Sequence, residues 1–416
     1  MLVTALLLHA PSGRAEGEGW ELGGHAKYQA TETRYQDDDL EALYGDNPAG
    51  NQQVDVRLKA ERRTGAWDFA VHYEVLALHG DALETRRALA AAGLLLPRGA
   101  TGLPDDDTRL FDLTDEFVDQ PRTAAVQRLD RLSIGYGTSR GLVRFGRQAV
   151  SWGNGLVFQP LDFVNPFSPV AIDKDYKTGD DMLYGQLWIA GQSDVQAIIV
   201  PRRDPVTHEV TSGDSSYAAK WRQRLGGFDV DVLAARHYLD NLLGLGLVRS
   251  VGGAVWRLDV EMMDLNQADT AWSAVTNVDY SWVWLGKNMY GYAEYFRNGL
   301  GAAHEAGYLA PDPALSARVA RGELFSLARD YGALGLQVEL HPLVNAFANY
   351  LQNLNDASRY LQLRATWDWR QNVQFMAGLN LPAGERGSEY GGIPVPATGA
   401  YLAPGRAAYL RGAWYF

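Results

Sequence analysis

The chain has no cysteine among its 416 residues. No disulfide framework holds it, which suits a protein that crosses an oxidising compartment with no bridges to form. It has no run approaching the ~20 apolar residues that a membrane-crossing helix needs, although 46% of its residues are hydrophobic. It has no basic excess. The formal net charge is −12, which leaves nothing to neutralise phosphates and argues against nucleic acid as a partner. It has no HExxH, GxSxG or phosphate-loop motif, and its eight His are scattered. No catalytic residue, metal ligand or cofactor is therefore expected, and the chain does not read as an enzyme.

What is present is aromatic and glycine-rich: 12 Trp, 21 Tyr, 13 Phe and 44 Gly. It is also strongly alternating. From Trp20 onward, segments of strand period fall at 20–34, 52–62, 67–77, 126–136, 141–150, 181–190, 194–203, 215–225, 228–238, 242–250, 254–264, 272–284, 288–297, 332–341, 343–352, 358–369, 372–381 and 405–416. In 52–62, Val54, Val56, Leu58 and Ala60 alternate with Asp55, Arg57, Lys59 and Glu61. In 358–369, Leu361, Leu363, Ala365, Trp367 and Trp369 alternate with Gln362, Arg364, Thr366 and Asp368. A barrel strand crosses a membrane with only ~9–11 residues, half of them facing water, so overall hydropathy stays modest. A charge facing lipid near the midplane costs ~2–4 kcal/mol, so the charged faces must point into a wet lumen or a fully paired core.

The connectors agree. Every second one is short: Arg63-Thr-Gly-Ala, Gly137-Thr-Ser-Arg, Gly191-Gln-Ser, Gly226-Gly, Val251-Gly-Gly, Leu285-Gly-Lys, Pro342 and Arg370-Gln. Most of the intervening ones are long: 35–51, 78–125, 151–180, 204–214, 265–271, 298–331 and 382–404. The expected fold is all-β: a transmembrane antiparallel β-barrel of about eighteen strands, with short periplasmic turns and long extracellular loops. The count falls to sixteen if 242–250 and a neighbour are not strands. At ~4.8 Å spacing and ~40° tilt the diameter is roughly 35 Å, too wide for strand side chains to fill. Residues 1–15 have the apolar core and small residues of a secretory signal, with a cut after Ala15. Residues 16–416 would be one barrel domain.

The chain ends Arg406-Ala-Ala-Tyr-Leu-Arg-Gly-Ala-Trp-Tyr-Phe416, with Ala408, Leu410, Gly412, Trp414 and Phe416 on one face. An alternating strand stopping on Phe resembles the closing strand of a bacterial outer-membrane barrel. The resemblance implies that Tyr415 and Phe416 form the signal read by the barrel-insertion machinery. It also implies a place in the Gram-negative outer membrane, with lipid bilayer and lipopolysaccharide as surroundings. Gly146-Arg-Gln148, followed by an aromatic and Gly, resembles the porin-like and alginate-export-like barrel families.

Two sets of residues are candidates for function. Inward rows carry Arg131, Arg144, Lys220, Arg222, Arg224 and Arg257 as an anion-attracting ladder, opposite Asp229, Asp259, Glu261 and Asp279; alternatively, these charges pair across strands and only hold the wall together. The third long loop carries Trp152, Asn154, Phe158, Asp162, Phe163 and Phe167, and its four aromatics need something to pack against. In porins the third loop folds into the lumen, so these residues are expected to form a constriction. Amphipathic patterns at 84–96 and 314–329 read as short helices at the mouth. The acid runs Asp37–Asp39 and Asp105–Asp107 read as solvated surface or, alternatively, as Ca²⁺ or lipopolysaccharide contacts. The expected function is passive, loop-constricted diffusion or export of a polar small or oligomeric solute. A non-conducting barrel for surface-polysaccharide or envelope assembly, or a channel for apolar substrates, are the alternatives. Nothing marks an oligomer interface.

Overall fold

A computed structural model describes residues 19–94, 102–172, 175–189, 192–266, 268–396 and 398–416. The signal-like segment 1–15 lies outside them. The strands are β1 (Glu21–Arg34), β2 (Ala49–Thr64), β3 (Trp67–Gly80), β4 (Thr114–Gln120), β5 (Thr123–Gly137), β6 (Gly141–Gln148), β7 (Asp180–Ile189), β8 (Ser193–Arg203), β9 (Val210–Leu225), β10 (Phe228–His237), β11 (Asp240–Val251) and β12 (Ala254–Asp264). They continue as β13 (Ala271–Trp284), β14 (Lys287–Arg297), β15 (Asp330–His341), β16 (Val344–Asn353), β17 (Arg359–Arg370), β18 (Val373–Ala383), β19 (Ile393–Val395), β20 (Ala400–Leu402) and β21 (Arg406–Tyr415). Among the described residues three α-helices, α1 (Leu40–Tyr44), α2 (Asp81–Ala91) and α3 (Pro313–Ala320), lie in the long connections.

One sheet holds nineteen strands, all but β19 and β20. It closes because β1 pairs antiparallel with β21 from His25↔Tyr415 to Arg34↔Arg406. Within it β4 pairs only with β5, so eighteen antiparallel strands make the wall. All eighteen expected segments coincide with these strands, including 242–250. A closed wall leaves no unpaired edge, as a bilayer demands.

The pleat sorts the side chains as alternation predicts. Leu22, Leu58, Val143, Leu187, Leu334 and Leu410 are exposed on the outer face. His25, Arg57, Asp231, Asp259 and Glu294 are buried on the inner one. An exposed leucine row on a polar-filled barrel is a lipid-facing belt. Trp367, Trp369 and Phe375 cluster on it, with ring centroids 5.8–6.4 Å apart, as an interfacial girdle does.

The short turns share one rim. Gly226-Gly227 and Gly252-Gly253 have φ of 56° and 85°, and 56° and 89°. Two successive positive φ values are those of the hairpin turn whose twist matches its strands. The N-terminal end of β1 and the C-terminal end of β21 meet on this rim.

The patterns read as mouth helices are partly helical. The helices are α2 and α3, and the second stops at Arg321 because Gly322 takes φ +71°. The strand β4 and the β19–β20 hairpin had no legible period, being 7 and 3 residues long.

The seam closes on the last residue. The Gly24 N–H donates to the Phe416 carbonyl (2.8 Å) and the Phe416 N–H to the Gly24 carbonyl (3.1 Å). The Phe416 ring lies over Gly24, where an added Cβ would sit 2.8 Å from ring Cζ and 2.1 Å from the Arg57 carbonyl oxygen. Gly24→Val should therefore lower the yield of heat-modifiable, folded barrel in gel-shift assays. Gly19→Val, where nothing lies within 4 Å, should not.

Candidate functional site

The third long loop, described over 149–172 and 175–179, turns inward and follows the inner wall around the lumen. It starts at the end of β6, where Trp152 Nε1 donates to Gln196 Oε1 of β8 (2.8 Å). The Asn154 N–H and Nδ2 donate to the two carboxylate oxygens of Asp259 on β12 (2.5 and 2.7 Å). The next contact is with β14: the N–H groups of Leu156, Val157 and Phe158 all donate to the Glu294 carboxylate, at 2.6, 3.0 and 2.8 Å. Asn277 of β13 bridges Glu294 (3.1 Å) and the Asn154 carbonyl (3.3 Å). Further on, Gln362 of β17 donates to the Val170 carbonyl (3.0 Å).

The returning limb reaches the opposite wall. Asp175 accepts from Lys27 of β1 (2.7 Å) and from the Tyr415 hydroxyl of β21 (3.0 Å). The Tyr176 ring is ringed by cations, with Arg57 at 4.6 Å, Lys59 at 4.4 Å and Lys27 at 5.9 Å from its centroid. Its hydroxyl accepts from Lys59. Arg131 of β5 donates to the Lys177 carbonyl (2.5 Å), and the Gly179 N–H to Asp130 (3.3 Å). An irregular segment inside a barrel must satisfy its own amides, and here wall carboxylates do so.

The loop also braces itself. Lys177 Nζ lies 2.5 and 2.7 Å from the Asp162 carboxylate oxygens and 2.6 Å from the Val150 carbonyl. Burial pushes the Asp162 carboxyl up and the Lys177 ammonium down, and their mutual bond opposes both shifts.

The aromatics of the expected constriction anchor the loop to the wall. Trp152, Phe158 and Phe163 are 4–5% exposed. Phe158 stacks on Phe296 (4.7 Å) and tilts against Tyr331 (5.3 Å). Trp152 and Phe163 share a core with Leu161, Leu233, Met263 and Leu315. An apolar ring in a wet lumen gains by burying itself against the wall. Asn154 and Phe167 are half-buried.

The charged candidates are mostly paired. Arg222 bonds Asp231 (2.8 and 3.0 Å), Arg257 bonds Asp279 (2.6 Å), Arg144 bonds Asp68 (2.9 Å) and Arg131 bonds Asp130 (2.5 Å). Lys220 lies 3.9 Å from Asp231 and 5.4 Å from the Trp152 ring. Arg224 and Asp229 are exposed register partners beside the Gly226-Gly227 turn. Glu261 is buried. Pairing with neighbouring carboxylates takes up most of the charge on these residues.

The pattern missed Glu294 as the loop's main acceptor and missed the basic sector on β1, β2, β5, β17 and β21. That sector holds Lys27, Arg57, Lys59, Arg128, Arg364 and Arg411. The inward alternation of 52–62 and 358–369 held part of this signal. The acid runs are claimed by arginines: Asp38 and Asp39 by Arg386, Asp106 by Arg109 and Arg147. Among the described residues no group of three or more metal-ligating side chains occurs.

Replacing Glu294 by Ala orphans three loop amides, each worth about 1–3 kcal/mol when buried. Glu294→Ala should keep a heat-modifiable barrel but raise single-channel conductance and open-state noise. Glu294→Gln, which keeps one acceptor oxygen, should fall between.

No protein-family model matches the sequence, and no curated protein matches it. Solved structures do match in fold. OccK5 (OpdH) of Pseudomonas aeruginosa is 9% identical with a TM-score of 0.54, covering 95% of this chain and 97% of its own. A BenF-like porin of Pseudomonas fluorescens Pf-5 is also 9% identical, with a TM-score of 0.49, covering 96% of this chain and 99% of its own.

Proposed function

We propose that this barrel, which has the fold of Gram-negative outer-membrane porins, is a passive channel for a small polar solute. The reading rests on one observation above others: residues 149–179 cross inside the wall and are latched to it by Asp259, Glu294, Gln362 and Arg131. A loop held this way narrows a wide barrel without sealing it by chance packing. No covalent step is involved. Filtering would be steric at the loop and electrostatic at the wall.

The wall's charge supports a preference for anions. Asp259 and Glu294 already accept loop N–H groups, which offsets their field. On the other side Lys59 bonds only the Tyr176 hydroxyl among the described residues, and Arg364 lies over the Phe347 ring at 4.3 Å. The Tyr415-Phe416 end fits recognition by the insertion machinery.

A second reading, a barrel closed at rest, is favoured by the apolar packing of Phe158 with Phe296, Tyr308, Tyr331 and Tyr360 beneath the loops 298–329 and 384–405. Planar-bilayer recording in a salt gradient separates the two. The channel reading expects steady conductance with a reversal potential displaced toward the anion, reduced in Lys59→Glu. Silence that yields to current in Glu294→Ala would support the closed barrel. Silence in both would defeat the channel reading.

A further inference from the structure

The strands β6 and β7 are short, and their outer row carries an ion pair. On β6 the row Val143, Phe145, Arg147 pairs with Gly185, Leu183 and Asp181 of β7. Phe145 and Leu183 are exposed on the lipid-facing side. Arg147 and Asp181, in the same rows, are 0% exposed. Something covers them, and it is the segment 103–120 of the second long loop.

That segment completes the wall where β6 and β7 end. Its β4 pairs with β5 from Thr114↔Arg128 to Gln120↔Thr123, along the edge that β6 uses only from Leu132 to Gly137. At its other end Arg109 bridges Arg202 of β8, and the Arg203 N–H donates to the Thr108 carbonyl (2.9 Å). Between these two attachments the segment is held by Arg147. The guanidinium donates to Asp181 (2.9 and 3.0 Å), to Asp106 (2.9 Å) and to the Phe111 carbonyl (2.7 Å). The Phe111 N–H donates back to Asp181 (2.8 Å) and the Leu113 N–H to Asp106 (2.7 Å). The Phe111 ring meets Phe145 edge-on at 6.0 Å.

Arg147 lies two residues before the inward loop begins, and Asp181 two residues after it ends. We infer that the Arg147 cluster is a clasp that couples the segment 103–120, an outer stave of the wall, to the neck of the inward loop 149–179. Any force on the stave from outside acts on Asp106 and Phe111, and through Arg147 on both ends of the loop. Release of the clasp leaves a buried charge without its partners on either side, so the two segments should loosen together. This coupling does not depend on conduction. Only its consequence for permeation rests on the channel reading.

Hydrogen exchange by mass spectrometry on the full-length barrel tests it. In Arg147→Ala, amides in 103–120 and in 150–166 should both exchange about tenfold faster or more, while β15–β18 stay unchanged. In Glu294→Ala only the inward loop should speed up. Should Arg147→Ala fail to fold, Asp106→Asn carries the test. It leaves the Arg147–Asp181 pair in place, and it should speed exchange in the stave and, to a smaller degree, in the loop. Acceleration confined to the stave in either variant, or unchanged exchange in both segments, would overturn the coupling. Conductance of the same variants then reports separately on the channel reading.

Discussion

A backbone amide taken out of water must find an acceptor, and this constraint governs the molecule at two scales. In the wall it forces every strand to pair on both sides, so the sheet has to close. Inside the wall it forces any irregular segment to borrow acceptors. The inward loop cannot form a ladder of its own, and Glu294 answers for three consecutive amides while Asp259 answers for a fourth. The acidic sector on β12–β14 is thus as much a fitting for the loop as a feature of the lumen.

The same economy explains the sorting of apolar residues. The outer belt is apolar because lipid offers no partner to charge. The inner aromatics are apolar for a different reason. Phe158 and Trp152 seat the loop against Phe296 and Met263, and so convert a flexible connection into part of the core. The mouth loops then build on that core, with Leu315 of α3 fully buried in it. Arg318 of the same helix bonds Asp240 (2.9 Å).

Arg147 is where the two rules meet. It stands in a lipid-facing row, where a charge is costly, yet it is fully covered by a loop segment that acts as wall. The charge is tolerated because Asp106, Asp181 and a carbonyl satisfy it. The positive φ of 115° at Gly146 immediately before it has no room for a side chain, since a Cβ would lie 2.2 Å from the Leu132 carbonyl oxygen.

The sequence by itself determined the wall: strand number, the in–out sense of each residue, the sidedness of the turns and the closing role of the last strand. These follow from a two-residue period and from turn chemistry, which are local and survive in the one-dimensional pattern. It also marked residues 149–179 as needing a surface to pack on. Which charges stay open and which are spent was decided only by the tertiary structure. Arg257 finds Asp279 and Glu294 finds the amides of 156–158 across separations of 22 and about 137 residues. So it was with the stave, because β4 acquires its place from the edge that β6 leaves unpaired and from no period of its own. Partnership across a barrel is set by closure, and closure brings together residues that no spacing along the chain relates.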